Sequence, residues 1–381
     1  MIISNLRKVE DGKLTRTEAT VRWEVADQPE KVVYIETETA FAADITSHPH
    51  AFLVGCFIPA MHLGEKRLVI EGDICPTLFE GLQTAMAILA GWPGGSLKPL
   101  AIEAGKLAAA RHLGKQRRAA LFLSGGIDSL SAIRLNRERY PATHPGYIKD
   151  CLLVHGFDIG GVVERGMKYH VFERAKQAMA KIAADVQVDL IPVYTNIRHL
   201  CDNRDLWLTR FFGAVLAAVA HAFDRRISLA YIGSSYDLPN LAPCGSHPLL
   251  DPEYSSHDLK IRHRDLEVPR FDKIRSIADW DVGLNNMRVC LANVKDRLNC
   301  GKCEKCVRTM LGLEAVGVLH KMSSFAEDQV SPDLLDAFSI TIRHREHFYQ
   351  ELLEPLKRCG RLDLVAKIEE KLDRSHLKKV F

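Results

Sequence analysis

The sequence predicts an α/β fold built on a parallel, doubly wound sheet, and three observations lead there. From residue 113, short uninterrupted apolar runs alternate with longer segments of helical period. Strands alternating with helices imply a parallel sheet covered on both faces. Three of the runs end in polar or glycine-bearing turns: Ser124-Gly125-Gly126, His155-Gly156-Phe157-Asp158 and Gly233-Ser234-Ser235. Ligands of such sheets bind beyond the carboxyl ends of the strands.

Taken in order, residues 1–112 read as an N-terminal α+β region without a catalytic motif. TVRWEV alternates, with Val21, Trp23 and Val25 on one face, and KVVYIET and RLVIEG also read as strands. HAFLVGCFIPAMHLG and CPTLFEGLQTAMAILAGW read as helices, the second broken by GWPGG. Residues 113–285 form the nucleotide-type unit. Its strands are RAALFLS, DCLLVHGFD, QVDLIPVYTN and RRISLAYIGSS. Its helices are DSLSAIRLNRERY, VERGMKYHVFERAKQAMAKIAADV and LWLTRFFGAVLAAVAHAF. Residues 286–381 hold a cysteine cluster and then helices, among them PDLLDAFSITIRHREHFYQELLEPLKRC and the amphipathic LVAKIEEKLDRSHLKK.

A chain of 381 residues has length for two or three domains. Hydrophobic residues at 47% and charged residues at 26% match a soluble globular protein, and a net charge of +3 argues neither for nor against a polyanionic partner. FFGAVLAAVAHAF is too short to span a bilayer and contains His221. MIISNLRKVEDGK brings charge in too early for a secretory signal, so a cytoplasmic location is expected. KQRRA, with Lys106 and Arg111 upstream, is basic but lacks interleaved aromatics. It reads as a solvated linker rather than a nucleic-acid surface.

The stretch LFLSGGIDSL places a glycine corner between a buried strand and a helix. Gly125 and Gly126 let the backbone approach an anion closely. Amide hydrogens then form a nest, and the helix adds the positive end of its dipole. Ser124 and Ser129 offer hydroxyls. A bare phosphate would repel Asp128, so Mg2+ is expected between them. The plainer alternative is a tight turn with Asp128 as helix cap. No Gly-Lys-Ser/Thr follows, so this is not the Walker motif.

Ten cysteines are present, and four cluster in RVCLANVKDRLNCGKCEKC: Cys290, Cys300, Cys303 and Cys306. Four thiolates suit a closed, structural tetrahedral zinc site; an iron–sulfur cluster is the rival.

SGGIDS resembles the pyrophosphate loop of the N-type ATP pyrophosphatases (PP-loop superfamily, adenine nucleotide alpha hydrolase-like fold). The resemblance implies cleavage of ATP to AMP and pyrophosphate, with AMP placed on a substrate oxygen. LEVPRFDKIRSIA is similar to the superfamily's Pro-x-x-x-Lys, which implies that Lys273 reaches the ATP phosphates. The cysteine spacing downstream of the loop resembles the 7-cyano-7-deazaguanine synthases (QueC), whose knuckle binds zinc. The match covers roughly residues 115–312. QueC-like proteins with an added N-terminal region occur in antiphage-defence operons, and the extension here is consistent with such a relative.

Departures are concentrated in the substrate loops. SSYDLPNLAPCGSHPLLDPEYSS after Gly233 fits the family only through that glycine and Asp237. His247, Asp251 and His257 are candidates for substrate contact or proton transfer, because a polar loop beyond a strand end is where a site belongs. HGFDIGGVVERG differs from the family's tyrosine-glycine-glutamine run, and Asp158 or Glu164 is placed at the site with it. The resemblance therefore implies an AMP-forming ligase that adenylates a deazapurine-type or related carboxylate for attack by nitrogen. No cysteine stands at position 2 to serve an amino-terminal glutaminase, so ammonia, a partner subunit or an acceptor amine is expected to supply the nitrogen. Protein partners would use the N-terminal region or the C-terminal helix. The alternatives are a PP-loop sulfur transferase acting on tRNA and a non-catalytic nucleotide-binding subunit of a defence complex.

Overall fold

The apolar runs of the sequence become the middle of one ten-stranded sheet. The computed structural model describes residues 1–94, 97–108, 117–157, 159, 168–340 and 345–379, with side chains to residue 373. The strands are β1 (Ile2–Asp11), β2 (Leu14–Arg22), β3 (Lys31–Glu38), β4 (Arg67–Ile70), β5 (Ala101–Glu103), β6 (Ala119–Phe122), β7 (Ile148–His155), β8 (Asp189–Thr195), β9 (Leu229–Gly233) and β10 (Lys260–Arg264). Their order is β10-β9-β6-β7-β8-β3-β2-β1-β4-β5. Neighbours from β10 to β8 are parallel, those from β8 through β3 and β2 to β1 antiparallel, and β1, β4 and β5 parallel again. The sheet is therefore mostly parallel rather than wholly so.

The strands of residues 1–112 continue this sheet instead of forming one of their own. Ile35 to Thr37 pair with Thr195 to Val193, and the Asn196 side chain extends the ladder to Tyr34 N–H and Val32 O. β1 and β5 were not foreseen, and the strand expected at TVRWEV is the end of the longer β2, with Val25 beyond it and 56% exposed.

Eleven helices cover the sheet: α1 (Pro49–His62), α2 (Pro76–Gly91), α3 (Ile127–Arg139), α4 (Tyr169–Asp185), α5 (Arg204–Leu206), α6 (Phe212–Ala222), α7 (Arg270–Arg275), α8 (Asp281–Asn285), α9 (Glu304–Ala315), α10 (Glu346–Arg358) and α11 (Leu362–Lys379). The count is of the described residues. Alternate strand residues serve opposite layers. Ala120, Phe122, Leu152 and Val154 pack with α1, α2 and α6; Leu121, Leu123, Cys151 and Leu153 pack with α3, α4 and α7–α11. Burial on both faces explains why these strands read as unbroken apolar runs. The amphipathic α11 buries Leu364, Val365, Ile368 and Leu372. No helix among the described residues is long and apolar enough to cross a membrane. Of the basic run, Arg118 turns onto Asp150 and Asp189, while Arg111 lies outside the described residues.

Candidate functional site

Within β6–β10 the order reads third-second-first-fourth-fifth, so the direction of winding reverses between β6 and β9. A crevice opens beyond the carboxyl ends of strands at such a point. Both turns that reach it carry glycine. Gly125 adopts φ +78°, and a Cβ there would stand 2.6 Å from Met179 Cε and 3.3 Å from Arg288 N. Its carbonyl accepts the Arg288 N–H at 2.9 Å. Gly126 caps α3 with φ −78° and ψ 162°, and a Cβ there would meet nothing nearer than Ser124 Oγ at 3.4 Å. The protein's packing thus requires glycine at 125 and leaves room for a Cβ at 126. Ser129 donates to Gly126 O at 2.9 Å, which ties the corner shut. Across the crevice, a Cβ on Gly233 would come within 3.0 Å of Asp128 O.

Cations gather over this corner from two helices, α7 and α9. Arg270 Nη1 lies 3.2 Å and Lys273 Nζ 3.9 Å from Asp128 Oδ1, and Ser235 Oγ donates to Asp128 Oδ2 at 3.3 Å. Burial pushes the Asp128 carboxyl up, but Arg270, Lys273, Lys305 and Arg308 outweigh it and hold it below the usual carboxylate range. Lys273 is 1% exposed and donates to Ser234 O at 2.5 Å. Burial depresses its ammonium, against the pull of Asp128. Arg308, on α9, is 7% exposed. Its Nε stands 3.1 Å from Glu304 Oε1, off the line of a hydrogen bond, and its Nη1 has no partner among the described residues. Burial and then Arg270 push it down to about 10, against Glu304. Phe348 from α10 lies beneath both guanidinium groups, 5.5 Å from Arg270 and 4.4 Å from Arg308, and Tyr236 stacks on it at 5.6 Å. Glu351 accepts from Phe271 N–H at 3.2 Å, and burial pushes its carboxyl up to about 7. A buried, orphaned guanidinium donor is expensive unless an anion meets it.

The four predicted cysteines converge. Their Sγ atoms lie within 4.8 Å of one another, so together they could hold a metal ion. Cys300 and Cys306 Sγ are 3.8 Å apart, which matches the edge of a tetrahedron with ~2.3 Å metal–sulfur bonds. Lys302 N–H and Cys303 N–H point at Cys300 Sγ at 3.4 and 3.2 Å. Gly301 turns with φ +73° against Glu327. Buried Asn299 braces the centre, accepting from Val289 and Cys290 N–H and donating to Met287 and Ser324 O. The centre reaches the corner by two routes. Cys290 follows Arg288, which bonds Gly125, and Cys303 caps α9, which carries Arg308.

The remaining sequence candidates separate. Gly233 and His247 line a small cleft beyond β9, beside Ser235 and Tyr236. His247 accepts Leu249 N–H at 3.1 Å and meets Trp92 edge-on; burial and then His263 push its imidazole down. Asp251 is 0% exposed and lies behind the cleft, where it holds Ser246 and His263. Asp237 accepts from Asn240 at 2.6 Å and starts the short turn after β9. His257 sits at α2 instead, near Thr77 and Cys75. Asp158 and Glu164 lie outside the described residues. Arg270, Arg308, Phe348, Glu351 and His263 were not foreseen. Arg270 lies inside the stretch quoted for Lys273 and Arg308 two residues beyond the one quoted for the cysteines, but nothing in their spacing marks them. Compared with protein-family models, curated proteins and solved structures, the chain matches none.

Proposed function

We propose that this chain is a QueC-like, ATP-dependent, AMP-forming ligase of the PP-loop type that adenylates a small carboxylate for attack by nitrogen. The observation that carries the reading is the excess of buried cations, with an unpartnered Arg308 Nη1, over a glycine corner left open at Gly126. ATP would lay its β- and γ-phosphates on the amides at the start of α3, with Arg270, Lys273 and Arg308 around them. The carboxylate oxygen attacks the α-phosphorus, and pyrophosphate leaves with the electron pair of the broken bond. Fixed cations at the corner stabilise that charge as it develops. Mg2+ held at Asp128 would neutralise phosphate charge there. Cys290, Cys300, Cys303 and Cys306 would hold Zn2+, whose chemistry in a four-thiolate site is structural. A cluster of several irons would push the thiolates farther apart than 4.8 Å, because they bind different irons.

Sulfur transfer fits less well. The four clustered thiols face one another, and Cys244, the thiol in the cleft, is pushed up to about 11 by burial and stays protonated.

The test is pyrophosphate and AMP release screened against deazapurine carboxylates, ammonia and tRNA, with metal content measured on the same sample. Release with a carboxylate and zinc at one equivalent is expected, and Arg308→Ala weakens pyrophosphate binding at least 10-fold. Tight ATP binding without turnover would assign a non-catalytic subunit instead.

A further inference from the structure

The cleft beyond β9 and β10 has walls unlike those of the phosphate corner. Phe212, Ile232, Leu241 and Pro248 make it largely apolar, and among the described residues no lysine or arginine lines it. A π-helical turn at Trp207–Phe211 precedes Phe212, and Gly213 N–H bonds Gly245 O at 2.8 Å to close that wall. Ser235 belongs to both places, since it lines the cleft and its hydroxyl bonds Asp128. Ser235 therefore joins the cleft to the corner.

Two imidazoles line this space, His247 and His263, and the Nδ1 of His247 is taken by the Leu249 N–H. His263 stands opposite Ile232 in the β9–β10 ladder, and its side chain is 4% exposed. Its Nδ1 lies 2.7 Å from Asp251 Oδ2, and the Ser246 hydroxyl donates to the same oxygen at 2.5 Å. A carboxylate only accepts, so in the neutral imidazole Nδ1 carries the proton and Nε2 the lone pair. Nε2 has no hydrogen-bond partner among the described residues. A buried carboxylate that fixes the tautomer and aim of an imidazole is the arrangement of a general base and its orienting group.

We propose that this cleft receives the nitrogen nucleophile, ammonia or a primary amine, and that His263 is its general base, with Asp251 as the positioning residue. The inference rests on the ligase reading above. Apolar walls without a counter-charge favour the neutral amine over the ammonium ion that predominates in neutral water. The nitrogen lone pair attacks the acyl carbon of the adenylate as one N–H proton passes to Nε2. The carbon–nitrogen bond forms, the bond from carbon to the phosphate oxygen breaks, and AMP leaves with that electron pair. The imidazolium then returns its proton to water.

The test compares wild type, His263→Asn, His263→Gln and Asp251→Asn, with folding checked by circular dichroism. ATP, Mg2+ and a 7-deazaguanine carboxylate are supplied with ammonium chloride, glycinamide or hydroxylamine. Hydroxylamine is a weak base, already neutral at pH 7, and needs little help. The better of ammonium and glycinamide for wild type identifies the nucleophile. With it, both His263 variants lose roughly 100-fold or more in kcat/KM, and the acid limb of the pH profile flattens. With hydroxylamine they lose less than about 10-fold, on the same general-base argument. Asp251→Asn shows the same selectivity in weaker form. Equal losses with every nucleophile, or none, while wild type still releases pyrophosphate, would overturn the role of His263 and leave the ligase reading standing. No pyrophosphate release by wild type under any condition would overturn both.

Discussion

Adjacent glycines at the corner should fail in different ways when each gains one methyl group. At Gly125 an alanine must hold φ +78°, which costs about 1–2 kcal/mol for an L-residue. Its Cβ also stands 2.6 Å from Met179 Cε, in a side chain that is 0% exposed, and 3.3 Å from the backbone nitrogen of Arg288. The buried methionine end must shift to make room, so overpacking adds about 1–2 kcal/mol. Gly125→Ala is thus expected to destabilise the fold by about 2–4 kcal/mol. At Gly126 the backbone is extended, and an added Cβ meets Ser124 Oγ at 3.4 Å and Arg288 O at 3.9 Å, both ordinary contacts. Gly126→Ala is expected to cost about 1 kcal/mol or less, the difference between glycine and alanine at a helix cap. Its methyl group would fill the space left for phosphate, so pyrophosphate and ATP affinity should fall at least 10-fold. Urea unfolding and calorimetric titration with pyrophosphate read the two effects. A cycle with Met179→Ala separates the steric part, which that variant relieves, from the dihedral part, which it does not. If Gly126→Ala keeps its affinity, or unfolds as readily as Gly125→Ala, the open face of the corner is not an anion seat.

Two further outcomes follow from the surrounding charges and the thiols. Cys300→Ser should fall below one equivalent of bound metal by elemental analysis and lower the melting temperature, because the centre ties the 287–290 segment to α9. Its pyrophosphate affinity should fall as well, since α9 carries Arg308. For Glu351, burial raises the folded-state pKa from 4.5 to about 7, so the folded protein holds the proton more tightly than the unfolded chain. That contribution to stability is complete below pH ~4.5 and is lost as pH rises through about 7. Glu351→Gln should therefore gain on wild type by up to about 3 kcal/mol between pH 5 and pH 8 in urea unfolding without nucleotide. A pH-independent difference would contradict the burial of an ionisable carboxyl there.

The failures of the sequence reading have separate physical reasons. β10 contains KIRHR, where only Ile261 is apolar, and it forms because β9 offers it a ladder, not because its residues prefer one. β1 is mostly exposed after Ile3 and carries charge along its length, so it has no periodic signal to read. The joining of β3 to β8 depends on pairing between residues far apart in sequence, and each partner read correctly as a strand without revealing the other. Lys273 expresses a different limit. A lysine opening a helix is ordinarily solvated, and its burial arises only because α7 docks between the corner and α10.

The amino-acid order alone determined what depends on neighbours along the chain. A buried run followed by glycines makes a strand turn into a helix, and four thiols at short spacing can close on one ion. Those features need only local dihedrals and short loops. What the tertiary structure decided is which distant groups share one small volume. Arg270, Arg308, Phe348 and Glu351 meet over residues 124–128, and Asp251 meets His263, because helices and strands pack by their apolar faces. The polar residues brought along on those faces leave no periodic mark in the sequence, since their positions are set by the packing of their neighbours rather than by any preference of their own.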